Sequence, residues 1–324
     1  MINRRSACLS AAALLAAGPG LARAQAAPGL SEWPGKSIRM LCGSPAGGLI
    51  DQIGRLVGTR LAERLGQAVV VENRVGSGGV IAAQELARAQ PDGYTLIVQP
   101  TAPLLIAPRI RPLSYGVADF EPIAKIAAAY GLISTRNDAP FNTYAEFVRM
   151  ARENPRKYTF AAYGEGSMTY LAAAALHKQA GIEVVYVPYN GSKDAVVDLV
   201  GGRIDLMYDT PTLPLVKAGK LKALAASPTR IKEIPDVSSL SEQGFSRVSN
   251  GWFGMFAPKS TPAAVIRRLS TEIKAILDDP QVNEIWSQYG LYSDYEDTAT
   301  FVRSIREDSV DMERAIKEFN IKVS

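Results

Sequence analysis

Histidine is almost missing from this chain: His177 stands alone among 324 residues. One imidazole cannot assemble a histidine metal site, and following the helical run Ala172 to Leu176 it is a poor start for a catalytic triad. Cysteine is nearly as scarce, with only Cys8 and Cys42. Cys42 sits in the apolar run Ile38-Arg39-Met40-Leu41-Cys42 and reads as a small buried hydrophobe rather than a nucleophile. A long apolar run is missing too. After residue 24 no stretch reaches the 18 or so residues of a membrane span, so the remainder reads as a soluble protein.

A basic excess is also lacking once the N-terminus is set aside. Residues 1–24 read as a secretory signal. Arg4 and Arg5 form a positive n-region, Leu9 to Ala17 is a short apolar core, and Ala22-Arg23-Ala24 is a small-x-small cleavage site before Gln25, with Ala24-Gln25-Ala26 as a second option. The arginine pair loosely resembles a twin-arginine signal, so the export route is Sec or twin-arginine. Arg4, Arg5 and Arg23 are three of the 36 basic residues, and no acid precedes residue 25. The processed chain therefore carries 33 basic against 32 acidic residues. Such a balance excludes a basic footprint for nucleic acid. With Cys8 removed, no intramolecular disulfide can form.

What is present is a repeated strand–loop–helix grammar. Ile38–Cys42 reads as a buried strand, followed by a small-residue loop and a helix with Ile50, Ile53, Leu56, Val57, Leu61 and Leu65 at three- and four-residue spacing, stopped by Gly66. Ala68–Val71 and Tyr94–Val98 read as further strands around a second glycine-rich loop, Asn73–Gly79, and a helix over 80–89. The order strand, helix, strand, helix, strand predicts a parallel sheet with right-handed crossovers. The pattern restarts at Gly131–Thr135. It continues through a helix over 143–152 with Asn142 as N-cap, strands near 158–162, 184–187, 205–208 and 223–226, and helices over 168–179 and 193–200. A strand over 252–257 and a helix over 262–277 follow, and the C-terminal helices are expected to return onto the first half. The fold class is α/β, in two similar halves.

Open α/β sheets bind ligands beyond the carboxyl ends of their strands, and a helix N-terminus there favours an anion. Three loops fit: Gly43–Asp51, Tyr163–Thr169 and Tyr189–Lys193. They supply Ser44, Ala46, Gly47, Gly48, Ile50 and Asp51, then Tyr163, Gly164, Gly166, Ser167 and Tyr170, then Tyr189, Asn190 and Gly191 as ligand-binding candidates. Several other signals fail. Gly35-Lys36-Ser37 lacks the earlier glycine of a phosphate loop, and Gly76-Ser77-Gly78-Gly79 lacks the third glycine of a dinucleotide fingerprint, which falls on Ile81. Ser167 reads as an N-cap rather than an activated nucleophile. No catalytic residue, cofactor or metal is expected.

Taken in order, these segments resemble a known family. Trp33-Pro34, Ile38-Arg39, Pro45-Ala46-Gly47-Gly48 and Asp51 are similar to the opening motif of the tripartite tricarboxylate transporter receptors, also called Bug-type receptors. Val71-Glu72-Asn73-Arg74 with Gly76 and Gly79, and Pro91-Asp92-Gly93-Tyr94-Thr95, resemble their second and third motifs. Gly164, Gly166 and Ser167, Val187-Pro188-Tyr189 with Gly191, Gly201-Gly202 with Asp205, and Trp252 with Pro258 and Pro262 continue the match. The resemblance implies a type II periplasmic-binding fold, with two α/β lobes around a ligand cleft. By the block pattern the lobes are residues 25–125 plus 250–324, and residues 126–249. It also implies a periplasmic, non-catalytic receptor for a small organic carboxylate, acting as a monomer with a membrane transporter complex or as a sensor. Ala46, Gly47, Gly48, Asp51, Gly166 and Ser167 are the residues carried over to the ligand, with Asp51 facing a ligand amine or hydroxyl or else serving the dipole of its own helix. Ser44, Ile50 and Tyr170 depart from the aromatic, small hydroxyl and histidine residues usual there, which suggests a ligand with an apolar or aromatic body. An exported α/β hydrolase or transferase is the alternative, but no Gly-x-Ser-x-Gly elbow is present.

Overall fold

The two strand–helix blocks fold as two sheets with one shared logic of strand order. The computed structural model describes residues 33–162, 167–189, 192–245 and 251–318. In the first lobe, β1 (Ile38–Cys42), β2 (Val69–Asn73) and β3 (Thr95–Pro100) are parallel, as the crossovers through α1 (Leu49–Leu65) and α2 (Val80–Ala87) require. The sheet continues through β10 (Trp252–Pro258), β4 (Phe120–Ala129) and β11 (Leu291–Glu296), giving the order β11-β4-β10-β3-β1-β2. In the second lobe, β6 (Thr159–Ala162), β7 (Val185–Pro188) and β8 (Leu206–Tyr208) are parallel, and β5 (Gly131–Thr135) and β9 (Lys222–Ser227) complete the order β7-β6-β8-β5-β9.

Each sheet is thus three parallel strands in the order second, first, third. A strand that belongs to a chain crossing is then inserted antiparallel: β10 beside β3, and β5 beside β8. The chain crosses twice. Tyr130 is the single residue between β4 and β5, and the return leads from β9 to β10.

The local reasons for the helices are plain. On α1, Ile53, Val57 and Leu61 fall on one stripe and are buried against the sheet, and Gly66 closes the helix in the left-handed conformation with φ 67°. In the second lobe, α4 (Tyr144–Glu153) buries Tyr144, Phe147, Val148 and Ala151. Its N-cap is Thr143, not Asn142 as the sequence suggested. The Thr143 hydroxyl accepts from the Glu146 N–H, while Asn142 donates its backbone N–H to the Glu146 carboxylate, so both residues serve the cap from different positions. The helices α5 (Met168–Ala180) and α6 (Ser192–Val200) cover β6, β7 and β8.

The C-terminal helices pack on the sheet of β4 and β11. There α8 (Ala263–Leu277) and α10 (Thr298–Glu318) pack on β4, and α9 (Pro280–Ser287) on β11. Phe301 of α10 meets Trp252 and Phe256 edge-on or tilted at 4.9 and 5.4 Å between ring centroids. The strand β4 was not anticipated: four of its ten residues are alanine and a proline and a lysine interrupt it. The π-helical turn over 102–106 and the short α3 (Ala107–Ile110) were not anticipated either.

Candidate functional site

Strand direction places the site. The carboxyl ends of β1, β2 and β3 share one edge of the first sheet, and those of β6, β7 and β8 share one edge of the second. Because β4 and β3 run the same way and β5 starts one residue after β4 ends, these two carboxyl edges face each other across the chain crossings. Contacts span the gap. The Tyr130 N–H donates to the Gly290 carbonyl at 2.9 Å. A side chain on Gly290 would meet Thr210, and one on Gly251 would meet both Thr101 and Met168. Ile106 of the first lobe packs with Leu171, Met168 and Tyr170 of the second.

The first-lobe loop is held by a network that closes on Asp51. Asp51 is only 2% exposed, and both carboxylate oxygens are occupied. One accepts from the Gly47 N–H at 2.8 Å and from Arg55 at 2.9 Å; the other accepts from the Asn73 amide at 2.8 Å. The same Asn73 amide donates to the Ser44 carbonyl at 2.9 Å, and the Ser44 hydroxyl accepts from the Asp51 N–H at 3.2 Å. Burial pushes the Asp51 carboxyl up, but the bonds from Arg55, Gly47 and Asn73 outweigh it and hold the group below the usual range. These bonds fix the turn while the N–H groups of Leu49 and Ile50, in the first turn of a 17-residue helix, have no partner within that helix. They stand at its positive end, ready for an anion.

The floor beneath this loop joins Gly43, Asn73 and Gly79, which the loop and motif readings include, to Gln99, which they missed. Gly43 lies so close to the second glycine loop that a Cβ on it would fall 2.6 Å from the Gly79 Cα. Gln99, fully buried at the end of β3, donates to the Gly79 carbonyl at 2.8 Å, and its Oε1 has no partner among the described residues. Asn73, Gly79 and Gln99 therefore support the cradle from two other strands. Asn73–Gly79 was visible as a glycine-rich loop and matched the second family motif, but nothing in its spacing pointed to Gln99 as its support.

The other candidates fall as follows. Pro45, Ala46 and Gly47 are exposed at the loop tip, and Gly48 is half-buried as the N-cap of α1. Ile50 is half-buried and lies outside the buried set of α1. On the second lobe, Ser167 is the N-cap of α5, its hydroxyl accepting from the Tyr170 N–H at 3.2 Å. The Tyr170 ring meets Tyr186 at 5.2 Å within the packing between the lobes. Tyr189 donates its hydroxyl to Asp198 at 2.8 Å; burial first, then Asp198, push that phenol up to about 12. Tyr163, Gly164, Gly166, Asn190 and Gly191 lie outside the described residues.

Two potential reactive groups are inert where they sit. Burial first, then the Asp51 charge, push the Cys42 thiol up to about 12, so it stays protonated at neutral pH. His177 is 3% exposed, its Nδ1 pairs with the Tyr186 hydroxyl at 2.8 Å, and burial pushes its pKa down to about 3. Among the described residues no group of three or more His, Cys, Asp or Glu side chains is placed to hold a metal, and no helix is long and apolar enough to cross a membrane.

Two α/β lobes joined by crossing strands, with helix N-termini at their facing edges, define a bilobal ligand-binding protein. Comparison with known proteins gives the family. The model of the tripartite tricarboxylate transporter family receptor matches residues 53–321. A Pseudomonas sp. (strain P51) protein, the UPF0065 protein in the tcbD-tcbE intergenic region, is 36% identical over 272 residues, covering 81% of this chain and 80% of its own length. Among solved structures, R. palustris Rpa4515 with adipate aligns with a TM-score of 0.77 at 28% identity, over 90% of this chain and 99% of that one. MatC from Rhodopseudomonas palustris with bound malate aligns with a TM-score of 0.72 at 27% identity, over 88% of this chain and all of that one. The chain belongs to the tripartite tricarboxylate transporter receptor family. Members of this family are periplasmic substrate-binding receptors.

Proposed function

We propose that this chain is an exported receptor that captures a small organic carboxylate between its lobes and hands it to a tripartite tricarboxylate-type transporter or reports its presence. The observation that carries this reading is the loop from Ser44 to Gly48, tied down by Asp51 so that the first turn of α1 presents free N–H groups at the carboxyl edge of the sheet. A carboxylate there meets the helix dipole and pre-aligned donors. The N-terminus of α5, capped by Ser167, is the second-lobe counterpart, and lobe boundaries near residues 125 and 250 let the two halves close as rigid bodies about the crossings. Two bound neighbours, with adipate and with malate, fit a carboxylate class. The protein acts without turnover and as a monomer. The Ser167 hydroxyl serves as a cap, and the one histidine is buried against Tyr186.

Within that class, the ligand has a carboxylate at one end and an apolar or aromatic body. Ile50 stands half-buried at the start of α1. A ligand hydroxyl against its side chain goes unpaired at about 1–3 kcal/mol, roughly ten- to hundredfold in affinity. A methylene chain or ring there gains from burial instead. Titration calorimetry of the mature protein with adipate and an aromatic monoacid, against malate, succinate and aspartate, tests this. Tighter binding of the small polar acids overturns the preference; no binding of any carboxylate overturns the function. Ile50→Thr is expected to move preference toward malate.

A further inference from the structure

The chain crossings divide the space between the lobes. On one side lie β1, β2 and β3 facing β6, β7 and β8, with the carboxylate cradle. On the other side, beyond β4 and β5, lies a second concavity of about 800 Å³. One wall comes from α9 and β11 of the first lobe. The other comes from Lys232 and Glu233, which follow β9 in the second lobe. Its size falls in the range of small-molecule sites.

Its chemistry is opposite to that of the cradle. Tyr130 and Tyr292, one from the crossing and one from β11, bring their rings together with centroids 4.7 Å apart and line the same space. Around them stand Glu233, Asp278 and Glu284, against one cation, Lys232. Asp278 is satisfied by Lys274 at 2.6 Å. Glu233 and Glu284 have no ion-pair partner among the described residues. Burial first, then the Glu233 charge, push the Tyr130 phenol up, so that carboxylate acts on the ring pair itself.

We infer that this rear groove is a second ligand site and that it takes a small organic cation, an ammonium carrying an apolar or aromatic body. An ammonium over the tyrosine faces gains a cation–π attraction, and the two unpaired carboxylates supply the countercharge. An anion meets like charge there. A neutral ring meets the tyrosines but leaves Glu233 and Glu284 uncompensated. The site is independent of the carboxylate cradle and does not rest on the function proposed above.

The test uses the mature protein and benzyltrimethylammonium as the probe, titrated by calorimetry and by tyrosine fluorescence at low salt, with benzyl alcohol as the neutral control. Saturable 1:1 binding of the cation, with benzyl alcohol at least tenfold weaker, is expected. Glu233→Gln, and separately the exposed Glu284→Gln, should each weaken the probe about five- to tenfold, roughly 1 kcal/mol, while adipate titrations of the same variants stay unchanged. Glu284 lies on the surface of α9, so its variant keeps the test open if Glu233→Gln fails to fold. Absence of saturable cation binding, equal affinity for benzyl alcohol, or full retention in folded Glu233→Gln and Glu284→Gln proteins would overturn the inference.

Discussion

Replacing Asp51 by asparagine changes one atom, yet the geometry around it makes the swap costly. Every neighbour of that carboxylate is a donor: the Gly47 N–H and Arg55 on one oxygen, the Asn73 amide on the other. An amide has one oxygen and one NH2, so an NH2 must face a donor whichever way it is turned. Flipping Asn73 to receive it sacrifices the bond from Asn73 to the Ser44 carbonyl. The Arg55 arm contributes little, because its side chain is 52% exposed and water replaces the lost partner. The Gly47 and Asn73 bonds to a buried carboxylate remain, and a charge-assisted bond is worth about 1.5–3 kcal/mol. Asp51→Asn is therefore expected to lose about 2 kcal/mol in urea denaturation at pH 7. The sign with pH follows from the lowered folded-state pKa. The contribution is present above the unfolded value of about 3.9 and is lost as pH falls through the folded value. The gap between wild type and variant should then shrink on acidification below about pH 4. Both Asp51 oxygens are engaged within the loop, so if that is its whole role, adipate, malate and aromatic acids should all weaken by a similar factor. A stability change under about 0.5 kcal/mol, a gap that does not move between pH 7 and 3, or a loss confined to ligands bearing an amine or hydroxyl would refute the reasoning.

Other perturbations have equally definite outcomes. Asp308 accepts from the Trp252 indole at 2.7 Å, but burial pushes its carboxyl up, so ionising it costs stability as pH rises through its folded pKa; Asp308→Asn keeps the acceptor and should raise Tm at pH 7, with the gain gone at a pH where the wild-type carboxyl is protonated. Thr101, 2% exposed, accepts from the Trp252 N–H at 2.8 Å at the start of β10, and Thr101→Val should cost about 1–3 kcal/mol in urea denaturation by stranding that N–H. N-terminal sequencing of the periplasmic protein should begin at Gln25, and an intact Met1 on cytoplasmic protein would contradict export.

Much of this molecule is local and could be read from the chain alone. The helix α1 follows from the spacing of Ile53, Val57 and Leu61 and from Gly66 at its end. The strand β5 falls on the five residues read as a short strand, Gly131–Thr135, and Ser167 caps α5 because its hydroxyl reaches an N–H three residues on. Family motifs spread along the chain in order indicated the class of fold. Tertiary structure alone decided the rest. The strand β4 has an alanine-rich sequence with no strand signature and exists because β10 and β11 flank it. Asp51 finds Asn73 22 positions away only because parallel pairing brings the end of β2 beside the end of β1. Gln99 reaches Gly79 because a third strand ends at the same edge. Periodicity records which face of an element is buried, but the partners of a polar side chain are set by sheet order and register, and those arise from packing between segments far apart in the chain.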